Sequence, residues 1–248
     1  MSPSYRRSAQ LLVALCLLSF VLVAPWAPAD DKKAASSAAT PAPRKEALWK
    51  KRHEGFLAIA RKGHVDVLFL GDSITQGWDG NGKDIWKERY EPLHAVNFGI
   101  GGDRTQHVLW RLQEGKELEG IQPRAVVLMI GTNNMSSNSA PEIAEGITAV
   151  VKELRSQRPE AQILLLGIFP RSAKASDGVR GKIKKVNEQI AKLDDGKNVH
   201  YLDIGDKFLE TDGSLSKQIM PDYLHLSKQG YQIWADAIQP KLDDMLKK

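Results

Sequence analysis

Five short apolar runs, rich in β-branched and aliphatic residues, punctuate the chain after residue 64: Val65–Leu70, His94–Phe98, Ala125–Ile130, Ile163–Ile168 and Asn198–Ile204. They close on turn-forming residues such as Gly71, Gly99, Gly131 and Pro170. Their near-continuous apolarity predicts strands buried on both faces, as in a parallel sheet. Helical periods fill the gaps. Trp49, His53, Phe56 and Ala60 recur at helical spacing before Gly63, a glycine suited to a C-terminal stop. Ile143, Ile147, Val150, Val151 and Leu154 share one face of a second helix, with Pro141 in its first turn. Residues 180–193 form a third helix. Ser227 is placed to cap a last one carrying Ile233, Trp234, Ala237 and Ile238, with Pro240 expected to bend it. Alternating strands and helices predict an α/β fold with helices on both faces of a five-stranded parallel sheet. Ligands of such sheets bind beyond the carboxyl ends of the strands, so the loops there are where chemistry is expected.

The 44 residues before this pattern follow a different logic. Arg6 and Arg7 precede an apolar stretch from Leu11 to Ala24, and Ala27-Pro28-Ala29 offers a small-residue cleavage site. That layout predicts a signal peptide over residues 1–29, cleaved after Ala29, and hence an exported, periplasmic or secreted, protein. The apolar stretch is short for a membrane span, which needs about 20 residues, so no stable span is expected once the leader is gone. Residues 30–44 are rich in Ala, Ser, Pro and charge without an apolar period and predict a disordered linker. Residues 45–248 are left as the folded domain.

Composition narrows the function classes. An apolar content of 42% against 26% charged residues is that of an ordinary globular domain. The formal net charge is +5, two charges of which belong to the leader, and the lysines are dispersed, which argues against nucleic acid as a partner. Cys16 is the only cysteine, so if the expected leader is removed the chain is left with no disulfide, thiolate zinc site or cysteine nucleophile. His53, His64, His94 and His200 have no carboxylate at a productive spacing and nothing resembles HExxH; no metal is expected. GIGGD is not GxGxxG and no Walker motif is present, so no nucleotide or other cofactor is expected.

Four strand-end blocks carry candidate chemistry: Gly71-Asp72-Ser73, Gly99-Ile100-Gly101-Gly102-Asp103, Gly131-Thr132-Asn133-Asn134, and Asp222-Tyr223-Leu224-His225. Serine hydrolysis needs a hydroxyl, a base, a group that orients the base, and donors for the oxyanion. Ser73 supplies the hydroxyl and His225 the base, and Asp222 three residues earlier lies within one turn of it. Gly102 offers a backbone N–H and Asn133 a side-chain amide. Asp103 followed by Gln106 has the look of a capping box opening a helix. Asp72 is better read as structural, Asp203 is a rival orienter, and His107 is read as a surface or packing residue.

These blocks resemble those of the SGNH, or GDSL-type, hydrolase superfamily, and within it the catalytic subunits of intracellular platelet-activating-factor acetylhydrolase. PLHAVNFGIGGD, HVLWRL, GTNN and DYLHL carry the likeness. The resemblance implies a flavodoxin-like three-layer α/β/α sandwich, a Ser73–His225–Asp222 triad, and an oxyanion hole from the Ser73 and Gly102 amides with the Asn133 side chain. It implies a serine esterase acting on small acyl esters, acetyl above all, whose alcohol is a small molecule, a glycan or a lipid. Carbohydrate O-acetylesterase, lysophospholipase-type esterase and a non-catalytic acyl-binding module stand as alternatives, and a homodimer stays open. Substrate choice is expected from Trp78 and the loops around Gly80–Lys83, Met135–Ala140 and Arg171–Gly178.

Overall fold

The computed structural model describes residues 35–247. The leader expected over residues 1–29 lies outside the described residues. The expected linker is corrected where it can be seen: residues 35–44 pack on the domain. Ala38 is fully buried and its carbonyl accepts the Thr105 hydroxyl at 2.7 Å. Asn138 Nδ2 donates to Ser37 Oγ at 2.9 Å, and the Ala42 amide donates to the Gln106 carbonyl at 3.1 Å. This strap is held by backbone and short polar groups rather than by an apolar stripe.

Helix α1 (Ala47–Lys62) is followed by β1 (Val67–Gly71), the four-residue α2 (Ser73–Gln76), α3 (Lys83–Arg89) and β2 (Ala95–Gly99). Then come α4 (Thr105–Leu112), β3 (Ala125–Met129), α5 (Ala140–Gln157), β4 (Gln162–Leu166), α6 (Gly178–Ile190), β5 (Val199–Leu202) and α7 (Lys228–Lys247). All five strands are parallel, in the order β2-β1-β3-β4-β5. That order is the flavodoxin-like one, whose switch point lies between β1 and β3.

Strand side chains alternate between two apolar cores. Leu68, Leu70, Val126, Leu128, Ile163 and Leu165 join buried residues of α1, α4, α5 and α6. Val67, Phe69, Val127, Met129, Leu164 and Leu166 join α3 and α7 on the other face. The stripe of α1 is Trp49, His53, Phe56 and Ala60, as its spacing predicts, and α1 ends at Gly63 with φ 68°. Ser227 Oγ accepts the Gly230 amide at 3.2 Å at the start of α7, which runs through Pro240. Trp78 is 1% exposed and packs among Tyr90, Tyr231 and Trp234, so it belongs to the core and not to a substrate surface.

Candidate active site

Ser73 opens α2 immediately beyond β1. The turn is tight: a Cβ on Gly71 would lie 2.2 Å from Thr75 Oγ1 and 2.3 Å from the Met129 carbonyl, which only glycine avoids. Asp72 caps the turn, its Oδ1 accepting the Ile74 amide at 2.9 Å. It is fully buried, and burial drives its carboxyl up to about 7 against the pull of that amide. The hydrogen bond of its carboxylate is to this turn, as a structural role requires.

His225 comes to Ser73 from the loop between β5 and α7. Ser73 Oγ lies 2.9 Å from His225 Nε2, and His225 Nδ1 lies 2.7 Å from Asp222 Oδ2. An ionised carboxylate only accepts, so Nδ1 carries the proton, leaving Nε2 free to accept the serine O–H. Asp222 Oδ1 also accepts the amides of Leu224 at 3.0 Å and His225 at 2.7 Å. Burial pushes the Asp222 carboxyl up, but the hydrogen bonds from His225 outweigh it and hold the group below its usual range. Asn81 of the glycine-rich loop braces this side by donating to the Leu226 carbonyl at 2.9 Å. Asp203, the rival orienter, is occupied elsewhere: it accepts from Asn187, Tyr201 and the Gly205 amide and lines a separate cavity of about 620 Å³.

The loop after β2 also comes close to the serine: a Cβ on Gly101 would lie 3.7 Å from Ser73 Cβ. Gly102 sits at φ +79°, in the left-handed region, and the Gly101 amide donates to Gln76 Oε1 at 2.7 Å. Asn133, just past β3, donates from Nδ2 to the Asp103 carbonyl at 2.9 Å, which ties its amide to the same loop. Ser73 and Asn133 therefore follow the two strands that flank the switch point. The Ser73 amide is the first of its helix and has no intrahelical acceptor. The expected Asp103–Gln106 capping box is not formed. The amide of Arg104 donates instead to His107 Nδ1 at 3.0 Å, a bond that needs neutral imidazole. Burial, with Arg44 and Arg104 nearby, lowers His107 to about 4.

Asp103 turns inward and anchors a buried charge network. It accepts Arg111 at 2.9 Å and Trp49 Nε1 at 2.7 Å, while Arg111 also donates twice to Glu117, at 2.8 and 2.7 Å. Arg111, Asp103 and Glu117 are all fully buried. Burial raises the Asp103 carboxyl despite these partners. His53 Nδ1 reaches Glu117 at 2.6 Å, and His94 Nδ1 reaches Asp66 at 2.8 Å. These carboxylates lie 64 and 28 residues away, beyond the spacings within which none was expected.

A cleft of about 560 Å³ opens beside this loop, lined by Gly102, Arg104, Asn133, Met135, Arg171 and Val179 among others. Two of the three loops expected to face substrate, at Met135 and Arg171, do line it. Sequence reasoning missed Arg44 and Gln76, which hold the Gly101 region; neither lies in a strand-end block. Among the described residues, no helix is long and apolar enough to cross a membrane.

Comparisons with known proteins agree with this architecture. Residues 69–233 match the model of the GDSL-like lipase/acylhydrolase family. Platelet-activating factor acetylhydrolase IB subunit alpha2 of Rattus norvegicus is 44% identical over 184 residues, covering 74% of this chain and 78% of that protein. Subunit alpha1 of Bos taurus is 42% identical, covering 74% and 77%. The crystal structure of a GDSL-like lipase from Bacteroides thetaiotaomicron superposes with a TM-score of 0.65 at 20% identity, covering 79% of this chain and 97% of that one, and so shares its fold. The expectation of export is overturned here, because the curated relatives are subunits of the intracellular acetylhydrolase that the sequence resembles. Family match, identity and sheet order together make this chain a member of the GDSL-like lipase/acylhydrolase family, a hydrolase of carboxylic esters.

Proposed function

We propose that the chain is a serine esterase of short acyl esters, acetyl above all, in which Ser73 attacks, His225 moves the proton and Asp222 orients the imidazole. The observation that carries this is the unbroken hydrogen-bond chain from Ser73 Oγ through His225 to Asp222. Neutral His225 takes the hydroxyl proton from Ser73 as Oγ bonds to the ester carbonyl carbon. The tetrahedral oxyanion is received by the amides of Ser73 and Gly102 and by the second N–H of the Asn133 side chain, each donor worth about 2.7–4 kcal/mol. Collapse expels the alcohol, protonated by His225. Water then attacks the acyl-enzyme with the same imidazole as base, releasing the acid and restoring the serine.

Two observations support a small acyl group and a polar alcohol. The relatives are named acetylhydrolases. The cleft beside Gly102 and Asn133 presents Arg104, Ser136, Arg171 and Ser172 with only Met135 and Val179 as apolar lining, a poor site for a long acyl chain. That polarity favours a carbohydrate O-acetyl ester as the second reading over a lysophospholipid. Hydrolysis of p-nitrophenyl esters of increasing chain length, run alongside acetylated sugars, tests both. Turnover falling steeply beyond the shortest acyl groups is the expected result; a preference for long chains would reject the assignment.

A further inference from the structure

We propose that Arg44 is a positioning residue for the oxyanion hole, setting the plane of the Gly101–Gly102 peptide and so aiming the Gly102 N–H at the reacting oxygen. The proposal rests on the serine-esterase assignment above. Arg44 donates to the Gly101 carbonyl at 2.7 Å. In a planar trans peptide that carbonyl and the Gly102 N–H point in opposite directions, so fixing one fixes the other. Gln76 holds the preceding peptide by accepting the Gly101 amide at 2.7 Å. Between these two clamps lies a Gly-Gly pair with the least intrinsic preference for any backbone conformation, and Gly102 adopts φ +79°.

The charge matters as well as the geometry. A cationic donor on a carbonyl polarises the whole amide, which makes its N–H a stronger donor to an anion. The guanidinium lies against the loop, with a nitrogen 3.1 Å from where a Gly102 Cβ would stand. It is itself held by Glu46 at 3.0 Å and by Asp103 at 3.3 Å, and is 19% exposed. Behind it the strap is anchored at Ser37, Ala38 and Ala42. The Asp103 contact alone would make Arg44 a structural ion pair; the shorter bond to the Gly101 carbonyl gives it a route to the reaction.

Steady-state hydrolysis of p-nitrophenyl acetate by the full chain and its R44M, R44K, R44A and S73A variants separates these roles. R44M is expected to lower kcat about 10- to 100-fold with KM within about twofold, less than the loss of a whole donor. R44K recovers part of the rate, and added guanidinium restores R44A toward the wild type. Thermal melts of each variant report the folded fraction. Wild-type kcat in R44M overturns the proposal, as does activity lost only in step with folded fraction and not restored by guanidinium. An inactive wild type or an active S73A would overturn the serine-esterase assignment instead, and the Arg44 role with it.

Discussion

The two sides of Ser73 are built on opposite principles. On the side of the proposed oxyanion donors the loop carrying Gly102 stands on buried charge: Asp103, Arg111 and Glu117 are each fully buried, and Arg111 is paired with both carboxylates. On the base side, His225 is 44% and Asp222 55% exposed, and their loop is held by local bonds to the Asp222 carboxylate. In the proposed mechanism the oxyanion donors must already point correctly when charge develops, and a buried foundation meets that need without reorganisation during the reaction. In the same proposed mechanism the imidazole changes protonation state and partner within each cycle, which a solvent-facing loop permits. The buried-charge foundation should therefore carry stability that the exposed base-side loop does not.

Substitution on each side tests that difference, and the largest effect is expected from the base side. Asp222→Asn should lower kcat by roughly 10⁴-fold, the scale known for a triad carboxylate replaced by its amide. Because the pair is exposed, the same change should cost less than about 1 kcal/mol in urea unfolding. Arg111→Met should do the reverse in kind, destabilising the chain by about 3–5 kcal/mol because Asp103 and Glu117 stay buried with their main cation gone. A urea titration of the two variants side by side reads the contrast directly. Asn133→Ala should leave KM nearly unchanged and lower kcat by about 10²–10³-fold, as expected for one lost oxyanion donor.

The smallest expected effect concerns pH. Burial lifts Asp72 to about 7, so between the ordinary carboxylate range and that value the folded chain holds a proton that the unfolded chain has released. Stability therefore falls as pH rises through this window, by roughly 2 kcal/mol between about pH 5 and pH 7. Asp72→Asn should remove that slope, measured by urea unfolding at the two pH values, while Asn Oδ1 still accepts the Ile74 amide.

The legible parts of the molecule share a property. A buried strand, an amphipathic helix and a glycine at a strand end each leave a local signature, and so the sheet and the stripe of α1 could be read from spacing, while the candidate blocks around Ser73, Gly102, Asn133 and Asp222–His225 stood out by their places at strand ends and by family resemblance. What escaped depends on partners far apart in the chain. Asp103 looked like a helix cap because Gln106 stands three residues on, whereas Arg111 and Trp49 compete for its carboxylate more strongly. The strap at residues 35–44 has the composition of a linker, because its anchors are backbone carbonyls and small side chains that give no apolar period. Trp78 looked like a substrate contact by its place after the serine, but its ring fills the core against α7.

The central claim is that Ser73 is the nucleophile of a relay through His225 to Asp222, and covalent labelling by a fluorophosphonate probe tests it most directly. Intact-mass and peptide analysis should show one adduct per chain, located on Ser73, absent in Ser73→Ala and strongly slowed in His225→Ala. An adduct on another residue, or equal labelling of the Ser73→Ala chain, would contradict the account.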